Sequence, residues 1–180
     1  METTPKKPGV AWTMGLIAGL LMCLFTLCLY LGGVQLYMSS IAWSGYLIII
    51  AMAVIAGVRQ KRLNGGYLSM GEGLKTVFMV FALGFLLQTL FSYILFNYID
   101  VPFRDALTQA GMEKAEAFMK RMGASESQIE EAMKNASDPK NNTFFSTLLS
   151  YAVTCVIFFV ISLIIAAIIR KKRPPFENSL

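Results

Sequence analysis

Apolar positions along the chain do not alternate with polar ones; they gather into four runs separated by polar stretches. The first covers about 10–31 (VAWTMGLIAGLLMCLFTLCLYL) without a charge, the second about 41–58, the third about 74–99 and the fourth about 144–169. At 1.5 Å of rise per residue, a helix of about 20 residues crosses the roughly 30 Å hydrocarbon layer of a bilayer. Lipid offers no partner to a free backbone N–H or C=O, so each run is expected as a helix. The pattern predicts an all-α integral membrane four-helix bundle, one membrane domain over residues 1–180. Four buried helices of a soluble protein would leave too little polar surface to cover them. Lys6 and Lys7 before the first run also suit a signal peptide. That run exceeds a normal signal core and no small-x-small cleavage pattern follows it, so it is expected to be retained.

Between the third and fourth runs the period changes. Phe103, Ala106, Leu107, Ala110, Ala115, Phe118, Met119 and Met122 recur at three- and four-residue spacing, which gives one apolar helical face. Gly123 supplies a stop, and Ser125 with Gln128 forms a capping box for a second helix carrying Ile129, Ala132, Met133 and Ala136. That helix is expected to end near Asp138-Pro139, because proline disfavours helix in its predecessor. Residues 100–142 therefore predict an extramembrane amphipathic helical hairpin. Its apolar residues either pack on each other and on the ends of the spans, or Phe103, Leu107, Phe118, Met119, Met122, Ile129 and Met133 offer an adaptable face to a partner or the membrane surface.

Charge then orients the bundle, since Lys and Arg beside a membrane crossing favour the cytoplasmic side. Lys6 and Lys7 precede the first run. Arg59, Lys61, Arg62 and Lys75 flank the second-to-third connection, and Arg170, Lys171, Lys172 and Arg173 follow the fourth. These ten of the sixteen basic residues face only Glu2, Glu72 and Glu177, a net +7, whereas 100–142 carries eight acidic and six basic residues, a net −2. Both termini are expected in the cytoplasm and 100–142 outside. The hydrophobic share of 56% agrees with a membrane chain. The pI of about 9.2 then reports topology, with membrane lipid as the expected contact and no nucleic acid. The RKKR at 170–173 is expected as a stop-transfer anchor. Trp12, Trp43, Tyr46, Tyr93, Tyr98 and Tyr151 are expected at the two interfaces.

The stretch RLNGGYLSMGEGLKT, residues 62–76, looks at first like a phosphate-binding loop. Gly66 and Gly71 have the required gap, but Glu72 stands where that loop needs lysine, and a helix, not a strand, precedes it. No nucleotide is expected there. Read as helix punctuation, Asn64-Gly65 closes the second span with a left-handed end, Gly66 turns the chain, and Ser69 with Glu72 caps the third span. Tyr67-Leu68 has no role in that scheme.

The chain has no histidine, and Cys23, Cys28 and Cys155 fall inside the runs, so neither a metal, a cofactor nor a disulfide is expected. No ionisable residue lies in the middle of any run, where ion carriers usually place one. Gln88, Thr89 and Ser92, on about one turn of the third span, make the best polar spot in the bundle, expected either as interhelical hydrogen bonding or as a substrate contact. Gly15-x-x-x-Gly19 and Ala53-x-x-x-Gly57 allow close helix approach, within the chain or in a homodimer. Asn135-Ala-Ser and Asn141-Asn-Thr match glycosylation acceptors in form only.

Taken in order, GGYLSMGEGLK before the third span, FRDAL after it and MGASESQIEEAMKNASDP before the fourth resemble a bacterial, Bacteroidota-type membrane-protein family, domain of unknown function number 4199. Gly65, Gly66, Tyr67, Ser69, Gly71, Lys75 and the 123–133 stretch carry the likeness. The resemblance implies the inner membrane of a Gram-negative cell and a periplasmic hairpin; it implies no activity and no catalytic residue. The residues themselves suit a non-enzymatic accessory or assembly module that uses its hairpin to meet a membrane-protein partner or a second copy. Two other readings stand beside it: a small transporter, flippase or channel subunit, and an enzyme acting on a lipid-linked substrate through Glu72, Lys75 or Asp100.

Overall fold

The computed structural model describes residues 9–137 and 143–171. Glu2, Lys6, Lys7, Lys172, Arg173, Glu177, the expected helix end at Asp138-Pro139, and Asn141 and Asn142 of the second acceptor tripeptide lie outside the described residues. The fold is all-α, and four of its helices are long and apolar enough to cross a membrane. In order come α1 (Val10–Leu31), α2 (Gly33–Tyr37), a 3₁₀ turn (Ser40–Trp43), α3 (Ser44–Leu63), α4 (Met70–Ile94), a π-helical turn (Leu95–Ile99), α5 (Val101–Arg121), α6 (Glu126–Ala136) and α7 (Phe144–Ile169).

The helix ends follow from local chemistry. α3 stops in a Schellman turn: the Gly66 N–H donates to Lys61 O at 2.9 Å and the Gly65 N–H to Arg62 O at 3.2 Å. Both glycines have positive φ, 71° and 91°, whereas Asn64 has φ −87°, so within the expected Asn64-Gly65 end the left-handed step falls on Gly65. α4 opens on a reciprocal capping box. The Glu72 N–H donates to Ser69 Oγ at 3.3 Å and the Ser69 N–H donates to Glu72 Oε2 at 3.2 Å. Ser125 and Gln128 make the same pair at α6, and Gly123 at φ 80° ends α5 in a second Schellman turn. The hydrophobic runs contain none of this punctuation, which is why α3 and α4 each extend past them.

α4 is the hub, since α1, α3 and α7 all pack on it. Between Thr76 and Ile94 only Leu90 and Ile94 are exposed. Glycines set the spacing. A Cβ at Gly19 would lie 2.8 Å from Leu87 Cβ, and one at Gly15 3.0 Å from Leu83 Cβ, so the α1 small-residue motif is spent inside the chain, on α4. Ala53 is fully buried and Gly57 meets Val77 and Ile169, which places the second motif inside the bundle too. The outward faces of α1 and α7, including Leu20, Leu24, Val156 and Ile168, are exposed as a lipid-facing surface requires.

Two of the aromatic residues expected at the interfaces also make packing contacts inside the bundle. Tyr46 stacks on Phe158 at 6.0 Å and leans on Phe85, and the Tyr151 hydroxyl donates to Ala82 O at 3.0 Å across the α7–α4 contact. A half-buried phenol needs a hydrogen-bond acceptor, and the α4 carbonyl supplies it. Trp12, Trp43 and Tyr98 remain exposed near helix ends.

At the basic end, the connection after α3 meets the end of α7. Leu68 and Lys171 exchange backbone hydrogen bonds at 2.9 and 3.0 Å, Lys61 Nζ donates to Ile169 O at 2.8 Å, and Lys171 lies over the Tyr67 ring at 5.5 Å. Leu68 itself is 1% exposed. The apolar pair without a sequence role is thus the clasp that fastens α7.

Candidate functional site

Span length creates the cavity at the hairpin end. Tyr46, two residues into α3, already contacts Phe85 of α4 and Phe158 of α7. α3 therefore begins level with Phe85, while α4 continues to Ile94 and then through the π-helical turn. α3 and α7 also approach at the basic end, where the Ile169 side chain fills the space beside Gly57. Beyond the start of α3 a wedge is left between α4 and α7.

The wedge is a shallow, open groove of about 310 Å³ lined by Tyr37, Gln88, Thr89, Ser92, Tyr93, Phe96, Asn97, Arg104 and Thr147. A second cavity of about 160 Å³, among α1, α3 and α4, shares Tyr37 and Gln88 with it and includes Thr26. The sequence-predicted polar spot Gln88, Thr89 and Ser92 thus lines a cavity. It makes no interhelical hydrogen bond among the described residues: Gln88 Nε2 donates to Ser92 Oγ at 3.1 Å on the same helix. The wedge separates these side chains from Thr147 on α7, so their hydrogen bonding stays on α4. Burial pushes the Tyr37 phenol above its ordinary pKa, with a smaller contribution from Tyr46, so Tyr37 presents a neutral hydroxyl.

The π-helical turn arranges the roof. Asp100 N–H donates back to Leu95 O at 2.8 Å, which closes the wide turn and swings Asn97 toward α5. Asn97 Oδ1 accepts from Arg104 at 3.0 Å, and Asp105 Oδ1 accepts from Arg104 Nε and from its second terminal nitrogen at 3.0 and 2.8 Å. Sequence reading missed Asn97 and Arg104. Only the seven-residue spacing Asn97-to-Arg104 across a helix junction hints at them, and it has no meaning before the junction geometry is known.

Asp100 holds α5 to the bundle. Its Oδ1 accepts from the Phe103 N–H at 2.9 Å as the α5 cap, and its Oδ2 accepts from the Tyr30 hydroxyl at 2.8 Å. Phe103 then packs on Tyr30, Tyr37 and Phe96. Asp100→Ala removes a cap worth about 0.5–2 kcal/mol and a charge-assisted hydrogen bond worth about 1.5–3 kcal/mol. The expected result is fast amide exchange in the first turn of α5 with the spans still protected, measured by hydrogen–deuterium exchange. Tyr30→Phe should show a smaller effect in the same direction.

The hairpin face divides. Phe103 is consumed in the aromatic cluster and Ile129 is buried, so neither is free for a partner. Leu107, Met119 and Met133 are half-buried, while Phe118 and Met122 are 64% and 72% exposed. No residue of α5 is buried, although Lys114 Nζ reaches Met38 O. Glu72 and Lys75 lie at the start of α4 and Asp100 beyond its other end, so these three do not converge on one site. Among the described residues no group of His, Cys, Asp and Glu could hold a metal ion.

A family model described as "Protein of unknown function (DUF4199)" matches residues 13–171. No curated protein and no solved structure matches the chain.

Proposed function

The chain belongs to the DUF4199 family of proteins of unknown function, and from that premise we propose that it is a non-enzymatic membrane module that works through its hairpin. In this reading it is a multi-pass protein of the inner membrane with both termini in the cytoplasm and α5–α6 in the periplasm, where it meets another membrane protein or a second copy. One observation carries the reading: α5 runs for 21 residues without a buried side chain and leaves Phe118 and Met122 exposed at its far end. The ties from Asp100 and Lys114 both precede Phe118 and Met122, so α5 presents these distal apolar residues to something beyond its own bundle.

The test is photocrosslinking in native membranes from a photoreactive residue placed at 118 or 122. A single reproducible protein adduct is expected, lost in Phe118→Glu/Met122→Glu. Adducts with lipid alone would overturn the reading. The carrier alternative draws on the wedge, but no Asp, Glu, Lys or Arg lies in the middle of any apolar run, where ion carriers usually place one.

A further inference from the structure

We infer that the wedge between the outer ends of α4 and α7 is a binding site for a phosphodiester, the headgroup of a membrane phospholipid. The lining has the chemistry of such a group. The Thr89 and Ser92 hydroxyls and the second N–H of Gln88 can donate to an oxyanion. Thr147, whose hydroxyl donates to Thr143 O at 3.1 Å, shapes the α7 wall, and among the described residues Arg104 is the one charged side chain in the lining. Arg104 has five N–H groups, of which Asn97 and Asp105 take three, leaving two for an incoming oxyanion. Those partners also fix the plane of the guanidinium, whose fork suits phosphate oxygens. Asp105 offsets part of the charge from outside the wedge, so the site matches a singly charged phosphodiester and resists a doubly charged phosphate.

Depth points to lipid as the source. Trp43 and Tyr98 are exposed at this end of the bundle, where amphipathic rings occupy the headgroup level, and Arg104 follows the π-helical turn by a few residues. Gln88 and Thr89 lie more than two turns before Tyr98 along the same helical stretch, farther in. The α7 wall is one helix thick: Thr147 faces the wedge while Phe145 and Leu149 beside it are exposed to lipid. α3 does not extend far enough to close the other flank. A headgroup in the wedge can therefore keep its acyl chains in the bilayer, against α7. This inference does not depend on the hairpin having a protein partner.

Native mass spectrometry of the full chain, stripped of lipid in detergent and titrated with dioleoyl phosphatidylethanolamine, dioleoyl phosphatidylglycerol or dioleoylglycerol, tests it. One phospholipid should bind, and dioleoylglycerol should not. Arg104→Gln should weaken binding about ten-fold or more, the usual consequence of losing a charge-assisted hydrogen bond. Thr147→Trp should fill the wedge from the opposite wall and block binding without touching Arg104. Val156→Trp, on the lipid-facing side of α7, should leave binding unchanged, with circular dichroism confirming the fold of each variant. Glycerophosphoethanolamine and inorganic phosphate serve as the water-soluble arms. If either binds the wild type as tightly as the lipid does, the source is a free phosphate compound and the lipid assignment fails. Equal binding of dioleoylglycerol, or full retention of phospholipid by Thr147→Trp, would overturn the site itself.

Discussion

Gly19→Leu is expected to separate α1 from α4 and to destabilise the bundle more than any other single substitution at a span glycine. Inside a bilayer, helices associate through close van der Waals packing, because lipid is as apolar as the helix faces. A side chain at position 19 would begin 2.8 Å from Leu87 Cβ and 2.7 Å from Leu87 Cδ1. The Cβ is fixed to the α4 backbone, so rotamer change cannot relieve the overlap and the helices must move apart. Overpacking of this kind costs about 1–3 kcal/mol, and more where the backbone must shift. Gly57 makes a useful contrast. Its nearest neighbour, Ile169 Cδ1, is closer at 2.3 Å, yet it is the end of a flexible side chain. Gly57→Ala should therefore cost less than Gly19→Ala despite the shorter distance. Gly71→Ala, with nothing within 4 Å, should leave stability unchanged or slightly raised. Unfolding in a mixed-micelle denaturant series followed by circular dichroism gives the order; a Gly19→Leu midpoint equal to that of the wild type would refute the packing argument.

The four spans and the hairpin are legible in the sequence because each rests on a local signal: an uncharged run of spanning length, or a three- and four-residue apolar period. The capping boxes at Ser69 and Ser125 are legible for the same reason, since their partners lie three residues away. What the sequence hides depends on how far one helix extends past another. The second run is visibly the shortest and the third and fourth the longest, but the wedge appears only once Tyr46 is placed level with Phe85 and Phe158. Gln88, Thr89 and Ser92 can be named from one turn of one helix. Arg104 and Thr147, which complete their cavity, come from elements with no local link to them. The π-helical turn at Leu95–Ile99 and the short α2 are likewise invisible to apolar periodicity, the one because it keeps helical spacing nearly intact, the other because five residues are too few to show a period.

Leu68→Ala should loosen both the connection after α3 and the end of α7. Leu68 is almost wholly buried, and its Cδ2 would lie 3.3 Å from a Cβ at Gly73, which places it against the first turn of α4. Truncating a buried leucine to alanine costs about 2–5 kcal/mol. Here the loss is coupled to backbone, because Leu68 and Lys171 exchange N–H···O bonds in both directions and neither can keep its position alone. Amide exchange at Leu68 and Lys171 should therefore accelerate together, while the α1–α4 interface, closed by Gly15 and Gly19, keeps its protection. Tyr67→Ala separates the side-chain contribution. It removes the ring under Lys171, worth about 0.5–1 kcal/mol at an exposed site, and leaves the reciprocal backbone pair in place. Faster exchange at Leu68 with unchanged exchange at Lys171 would mean that α7 is held by Lys61 and its own packing. The result expected from the geometry is the opposite: the buried leucine seats the connection, and the connection in turn positions the backbone of Lys171 at the end of the fourth span.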